Sequence, residues 1–192
     1  LRGKDQITIG IFTAIYFVLS LGSNISGGLH PMAWILSPVL AAVLGATPFM
    51  IMVTKVRKPF AVLMMGIVVA LIYFIMGQFP ITMPIAFVVG AIIAEFIRKI
   101  TGYDKFWGNA LGYSFFSLGM TGSPLPIWVY RESFFAQIRE FGMPEAYINS
   151  LEKLASPGML AVMIILTLIA GLLGAQVSKK LFSKHFTKAG IV

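Results

Sequence analysis

The chain has 192 residues, 58% of them hydrophobic and 11% charged, with a formal net charge of +8. Soluble domains carry about 25% charged residues, so this composition, with a mean hydropathy of +0.88, excludes an ordinary soluble fold and points to an all-α integral membrane protein. With no cysteine, the chain has no disulfide, no thiolate metal site and no cysteine nucleophile.

Six apolar runs are expected to form six transmembrane helices within one membrane domain covering residues 1–192. The first is Ile7 to about Leu21; the LRGKDQITIG that leads into it lacks a cleavage pattern and is read as the start of a span, not as a signal peptide. The second runs from about Met32 to Thr54 and contains Pro38 and Pro48, which predict kinks. The third is about Pro59 to Gln78, the fourth about Pro80 to Ile97, the fifth about Phe106 to Thr121 and the sixth about Pro157 to Val177. Between the fifth and sixth, YRESFFAQIREFGMPEAYINSLEKL carries Phe134, Phe135, Ile138 and Phe141 at helical spacing among charges. That pattern predicts an outer amphipathic helix, followed by a second short helix over about Pro144 to Leu154.

The basic residues assign the sides. With the N-terminus in the cytoplasm, twelve of the fifteen Lys and Arg residues fall on that face: Arg2, Lys4, Lys55, Arg57, Lys58, Arg98, Lys99, Lys105, Lys179, Lys180, Lys184 and Lys188. Only Arg131, Arg139 and Lys153 fall on the other. The positive-inside rule then places both termini in the cytoplasm. It also accounts for the net charge through loops facing the lipid bilayer, with no nucleic-acid partner. The outer face holds the glycine-rich GSNISGGLHPMAW (Gly22 to Trp34), the turn Gly77 to Pro84 and the segment Gly122 to Ser156.

No catalytic set, phosphate-binding loop or internal repeat is present, so an enzyme is not expected. Glu95 lies three residues before Arg98 and four before Lys99, which reads as an interfacial ion pair or, alternatively, as a proton or ion site. Four small-residue pairs, Gly10/Ala14, Gly90/Ala94, Gly108/Gly112 and Gly171/Ala175, offer smooth faces for helix packing. On the outer side, Met32, Met83, Met120, Met143 and Met159 gather with Trp34, Trp128 and Tyr130. They read either as an interfacial belt with ordinary packing or as the adaptable wall of a ligand site. His30 reads either as a solvated residue before the helix-starting Pro31 or as an axial ligand to haem. In the haem case Arg131 pairs with a propionate carboxylate. A bare metal ion is not expected on a single histidine.

Four stretches in order, LRGKDQITIGIFTAIYFVL, HPMAWILSPVLAAVLG, KVRKPFAVLMMGI and GNALGYSFFSLGMTGSPLPIWVYR, resemble the Trep_Strep group of energy-coupling factor (ECF) transporter S components. The resemblance covers essentially the whole chain. It implies a cell-membrane subunit that binds a micronutrient from outside, while a separate transmembrane T component and two cytoplasmic ATPases drive import as the S component topples in the membrane. It further implies that Gly10 and Ala14 dock on the T component, with Gly in place of the first Ala of an AxxxA-like motif. The pocket it implies lies near the outer face, over Gly22 to Trp34, Met83, Met120 and Trp128 to Arg131.

Haem or another tetrapyrrole is the leading substrate on this reading, bound by His30, Met32, Trp34, Met83, Met120, Trp128, Tyr130 and Arg131; no intrinsic cofactor is implied. The alternatives are an S component for a different vitamin or precursor, stacked on tryptophan and hydrogen-bonded by Asn109, Asn24 or Ser26, and a membrane scaffold without transport. A secondary transporter fits less well, because such proteins keep ionisable residues and repeats in the membrane.

Overall fold

The computed structural model describes residues 1–25, 28–77 and 80–181. Ser26, Lys184, Lys188 and the end of the third expected span at Gln78 lie outside the described residues. Among the described residues the regular structure is entirely helical: α1 (Gly3–Ile25), α2 (Pro31–Ile35), α3 (Ser37–Leu44), α4 (Ala46–Lys55), α5 (Ala61–Met76), α6 (Thr82–Thr101), α7 (Phe106–Ser117), a 3-10 turn (Leu118–Gly122), α8 (Pro126–Val129), α9 (Arg131–Glu140), α10 (Glu145–Leu154) and α11 (Pro157–Leu181).

Two of these helices, α1 and α11, are long and apolar enough to cross a membrane, and α3 with α4 makes a third crossing if the bent pair is one span. At 1.5 Å per residue, the 23 residues of α1 reach about 35 Å, enough for a hydrocarbon core of about 30 Å. The other expected spans fall short for identifiable reasons. Helix α5 has 16 residues. Helix α6 has 20 but carries Glu95, Arg98 and Lys99 near its end. Helix α7 has 12 before the chain tightens into the 3-10 turn.

The second expected span is three helices, and proline explains the breaks. Pro31 is the first residue of α2, Pro38 the second of α3 and Pro48 the third of α4. Each sits in a first turn, where its missing N–H has no intrahelical acceptor to lose. The chain bends by 41° between α3 and α4. Gly45 sits at that bend because a β-carbon there would come within 2.5 Å of the Tyr16 ring.

The main core joins α1, α4, α5, α6 and α7 around Tyr16, which meets Phe87 and Phe116 edge-on at 6.2 and 5.3 Å. Three of the small-residue pairs pack inside the bundle. Gly90 faces the backbone of Phe115 and Phe116, Gly112 faces the Ala94 carbonyl, and Gly171 faces Ser114 Cα. Gly10 and Ala14 differ: both are exposed on α1, and a β-carbon at Gly10 would meet nothing within 4 Å. A second, smaller cluster builds the other end from Ile35, Ile127, Phe135, Ile148, Leu151 and Met163.

The basic residues converge at one end. Lys58 Nζ pairs with Asp5 across 2.6 Å, joining the α4–α5 connection to the start of α1, and Lys179 Nζ lies 4.5 Å from the Phe106 ring centre, joining the end of α11 to the start of α7; Arg98 links the two by donating to the Val56 carbonyl at 3.5 Å and to Asn109 Oδ1 at 2.8 Å. Glu95 is buried there, not interfacial: its carboxylate accepts the N–H groups of Phe60, Val62 and Leu63 at 2.9, 3.1 and 3.3 Å. A carboxylate at a helix N-terminus satisfies orphan donors and complements the helix dipole, and here it also holds Phe60 in the left-handed region at φ +67°. Arg98, fully buried, donates to Glu95 at 3.3 Å and to Asn109 Oδ1 at 2.8 Å. Lys99, the other expected partner of Glu95, is exposed.

Candidate functional site

At the end opposite this basic knot lies a cavity of about 860 Å³. Its size falls in the range of about 300–1,000 Å³ typical of small-molecule sites. Helix α9 forms one wall. Tyr130, Ser133, Phe134, Gln137, Ile138 and Phe141 line the cavity, at steps of three and four residues that place them on one helical stripe. The facing walls come from Leu21, Asn24 and Ile25 at the end of α1, Trp34 on α2, Ser123 and Pro126 after the 3-10 turn, and Tyr147 and Leu151 on α10. Trp34 and Phe134 stack at 5.7 Å with their planes 11° apart, giving a flat aromatic surface.

No Asp, Glu, Lys, Arg or His lines the cavity among the described residues. Burial pushes the Tyr147 phenol above its ordinary value. The polar groups form a directional chain. Trp34 Nε1 donates to Ser123 Oγ at 3.2 Å, and Ser123 Oγ donates to Asn24 Oδ1 at 3.1 Å.

The charges of α9 and α10 point elsewhere. Arg139 pairs with Glu152 at 2.9 Å and Glu145 at 3.6 Å. Arg131 donates to the carbonyls of Ala155 and Glu152 at 3.0 and 3.1 Å and lies 5.5 Å from the Phe135 ring centre. Those carbonyls close the C-terminus of α10 and need donors, which is why Arg131 turns toward α10 and does not line the cavity.

Of the residues expected at a ligand, Trp34 and Tyr130 line the cavity, as does Met143. His30 is exposed and does not line it; its Nδ1 accepts the Met32 N–H at 3.1 Å and so caps α2 ahead of Pro31. Met32, on the same short helix, also lies outside the lining. Met83 and Met120 are fully buried in the main core, where the Tyr73 hydroxyl meets the Met120 sulfur at 3.9 Å. Trp128 packs into the second cluster and donates to the Ser156 carbonyl at 2.9 Å, and Met159 packs against the same cluster. Asn109 lies at the basic end, its oxygen bonded by Arg98 and its nitrogen donating to the Tyr103 carbonyl at 3.2 Å. Among the described residues no group of three or more His, Asp or Glu side chains is placed to hold a metal ion. The stripe from Tyr130 to Phe141 was the readable signal for the wall; Ser133 and Gln137 were hidden in it because polar residues at those steps look like a solvated face.

No curated protein and no solved structure matches the chain. One family does, over residues 3–188, described as hypothetical bacterial integral membrane protein (Trep_Strep). With nearly its whole length matched and its helices suited to a bilayer, the chain belongs to the Trep_Strep family of bacterial integral membrane proteins.

Proposed function

We propose that the protein is the substrate-binding S component of an ECF-type importer. It spans the membrane six times with both termini in the cytoplasm, captures a micronutrient at the outer face, and hands it on with a T component and two cytoplasmic ATPases. The observation that carries this reading is the aromatic cavity, lined by no charged side chain among the described residues, at the end opposite the basic one. The positive-inside rule puts the basic end in the cytoplasm and hence the cavity outside. The exposure of Gly10 and Ala14 supports a docking role, because the other three small-residue pairs are occupied by packing within the bundle. The burial of Glu95 and Arg98 inside the bundle keeps those charges from lipid, as a body that rotates in the membrane requires.

For the substrate, haem or another tetrapyrrole is favoured by the cavity's volume and aromatic walls. The place of His30, outside the lining and engaged in capping α2, speaks against it. A different vitamin or precursor is the second reading, favoured by the presence of Asn24 and Ser123 in the lining.

The deciding experiment is affinity purification from membranes followed by mass spectrometry of partners and extracted ligand. A T component and two ATPases in the eluate are expected; a pure chain with neither partners nor ligand returns it to a scaffold role. Addition of haem to the purified protein then tests the substrate, with a saturable Soret band expected for haem and no band for the second reading.

A further inference from the structure

The hydrogen-bond chain at the cavity runs from Trp34 through Ser123 to Asn24. An indole nitrogen can only donate, so Ser123 Oγ accepts from Trp34, and its own proton goes to Asn24 Oδ1 at 3.1 Å. Asn24 turns its oxygen to Ser123, so within the cavity that this residue lines its Nδ2 amide, two donors, remains to be used. Asn24 is 9% exposed, and its Nδ2 has no partner among the described residues. The enclosed side-chain atoms without a partner among the described residues are the Tyr16 and Ser37 hydroxyls, so Asn24 Nδ2 is open to the cavity, and no charged side chain lines that cavity among the described residues.

We infer that the cavity takes an uncharged, flat, aromatic or conjugated ligand whose buried edge carries a carbonyl oxygen or ring nitrogen that accepts from Asn24 Nδ2, the specificity-determining donor. This rests on the reading of the cavity as the ligand site. The Trp34–Phe134 stack supplies the flat wall. A carboxylate there loses its hydration with no cation to replace it, and a hydrocarbon edge leaves the donor bare. A site built around a hydrogen bond rejects analogues that lack the matching group more strongly than it rejects changes in apolar size. The inference favours a vitamin or precursor with a polar ring edge over haem.

Three probes of one shape separate these cases: naphthamide, naphthoate and methylnaphthalene. Binding is measured by equilibrium dialysis against the full chain in lipid nanodiscs, with empty nanodiscs subtracted. Naphthamide is expected to bind about tenfold more tightly than either of the others, the size of one net hydrogen bond. Asn24→Leu should bring naphthamide down to methylnaphthalene. Ser123→Ala, a smaller change, frees the Asn24 amide to turn over and should also narrow the gap. Equal saturable binding of naphthamide and methylnaphthalene to the wild type overturns the role of Asn24 and leaves the cavity as a ligand site. Absence of saturable naphthamide binding to protein that still co-purifies with its T component overturns the ligand class and leaves the importer reading in place. Selective naphthamide binding by a chain that recruits no T component or ATPases keeps this inference and overturns the importer reading.

Discussion

Two buried asparagines sit at opposite ends of the bundle and behave differently. Asn109 is fully engaged: its oxygen receives Arg98 and its nitrogen donates to Tyr103. Asn24 is engaged on one side only, with its oxygen bonded by Ser123 and its nitrogen on the cavity. Around Asn109 every strong polar group is tied to another, Glu95 to three backbone N–H groups and Arg98 to Glu95 and Asn109. A polar network whose members are all satisfied rigidifies the place where it sits. Around Asn24 the network stops short, with aromatic walls beside it. The first arrangement holds helices together, and the second leaves a donor unused at a cavity wall.

Substitutions can break this contrast from either side. The largest effect is expected at the basic end. Glu95→Ala leaves Arg98 buried without its carboxylate and strips three donors of their acceptor. Loss of one partner of a buried pair costs about 3–5 kcal/mol, so thermal unfolding of the purified protein should drop sharply or the protein should fail to accumulate. A variant that melts with the wild type would show the knot to be dispensable. Next comes the contact between the 3-10 turn and α6. A β-carbon at Gly122 would sit 2.4 Å from Met83 Cα and 2.6 Å from the Thr82 carbonyl, both backbone atoms that cannot rotate away. Gly122→Val should destabilise by about 1–3 kcal/mol through overpacking, read in the same melting assay.

The cavity end should respond in the opposite sense. Trp34→Ala removes the stacking partner of Phe134 and the donor to Ser123. An aromatic pair contributes about 0.5–1.5 kcal/mol, so the melting point should fall only modestly while naphthamide affinity falls about tenfold or more. A large loss of stability with affinity unchanged would make Trp34 a structural residue and erase the contrast. The smallest effect belongs to Gly10→Leu, where the added side chain enters open space. Stability should stay within about 0.5 kcal/mol of wild type, as for surface changes away from special features, while recruitment of a T component should be lost. Recruitment that survives the change, alone or with Ala14→Leu, would sink the docking role of α1.

Much of the helical outline was readable, because proline and periodicity act locally. The amphipathic pair after the fifth run emerges as α9 and α10, and α11 starts at the expected Pro157. The three-way break of the second run was less readable. A proline in an apolar run marks either a kink or a new first turn, and the choice depends on whether neighbouring helices, here α1 through the Tyr16 ring at Gly45, require the bend. Glu95 was legible as the partner of Arg98, three residues along one helix. Its capping of α5 spans 32 to 35 residues, and no local pattern encodes that.

The sequence by itself determined that this is a helical membrane protein with its basic residues clustered between particular spans, since composition and charge spacing are properties of the chain. It also determined the striped face of α9, because helical periodicity is local. Only the tertiary structure decided which polar residues are engaged within the bundle and which line the cavity. His30, Arg131 and Asn109 were plausible by type, yet each is held by backbone or side-chain partners: the Met32 amide, the end of α10, and Arg98 with Tyr103. Asn24 has its oxygen tied to Ser123, which in turn accepts from Trp34, and these partners lie 99 and 10 residues from it along the chain. A hydrogen bond has a direction, and the direction is set by whichever groups the fold brings within about 3 Å.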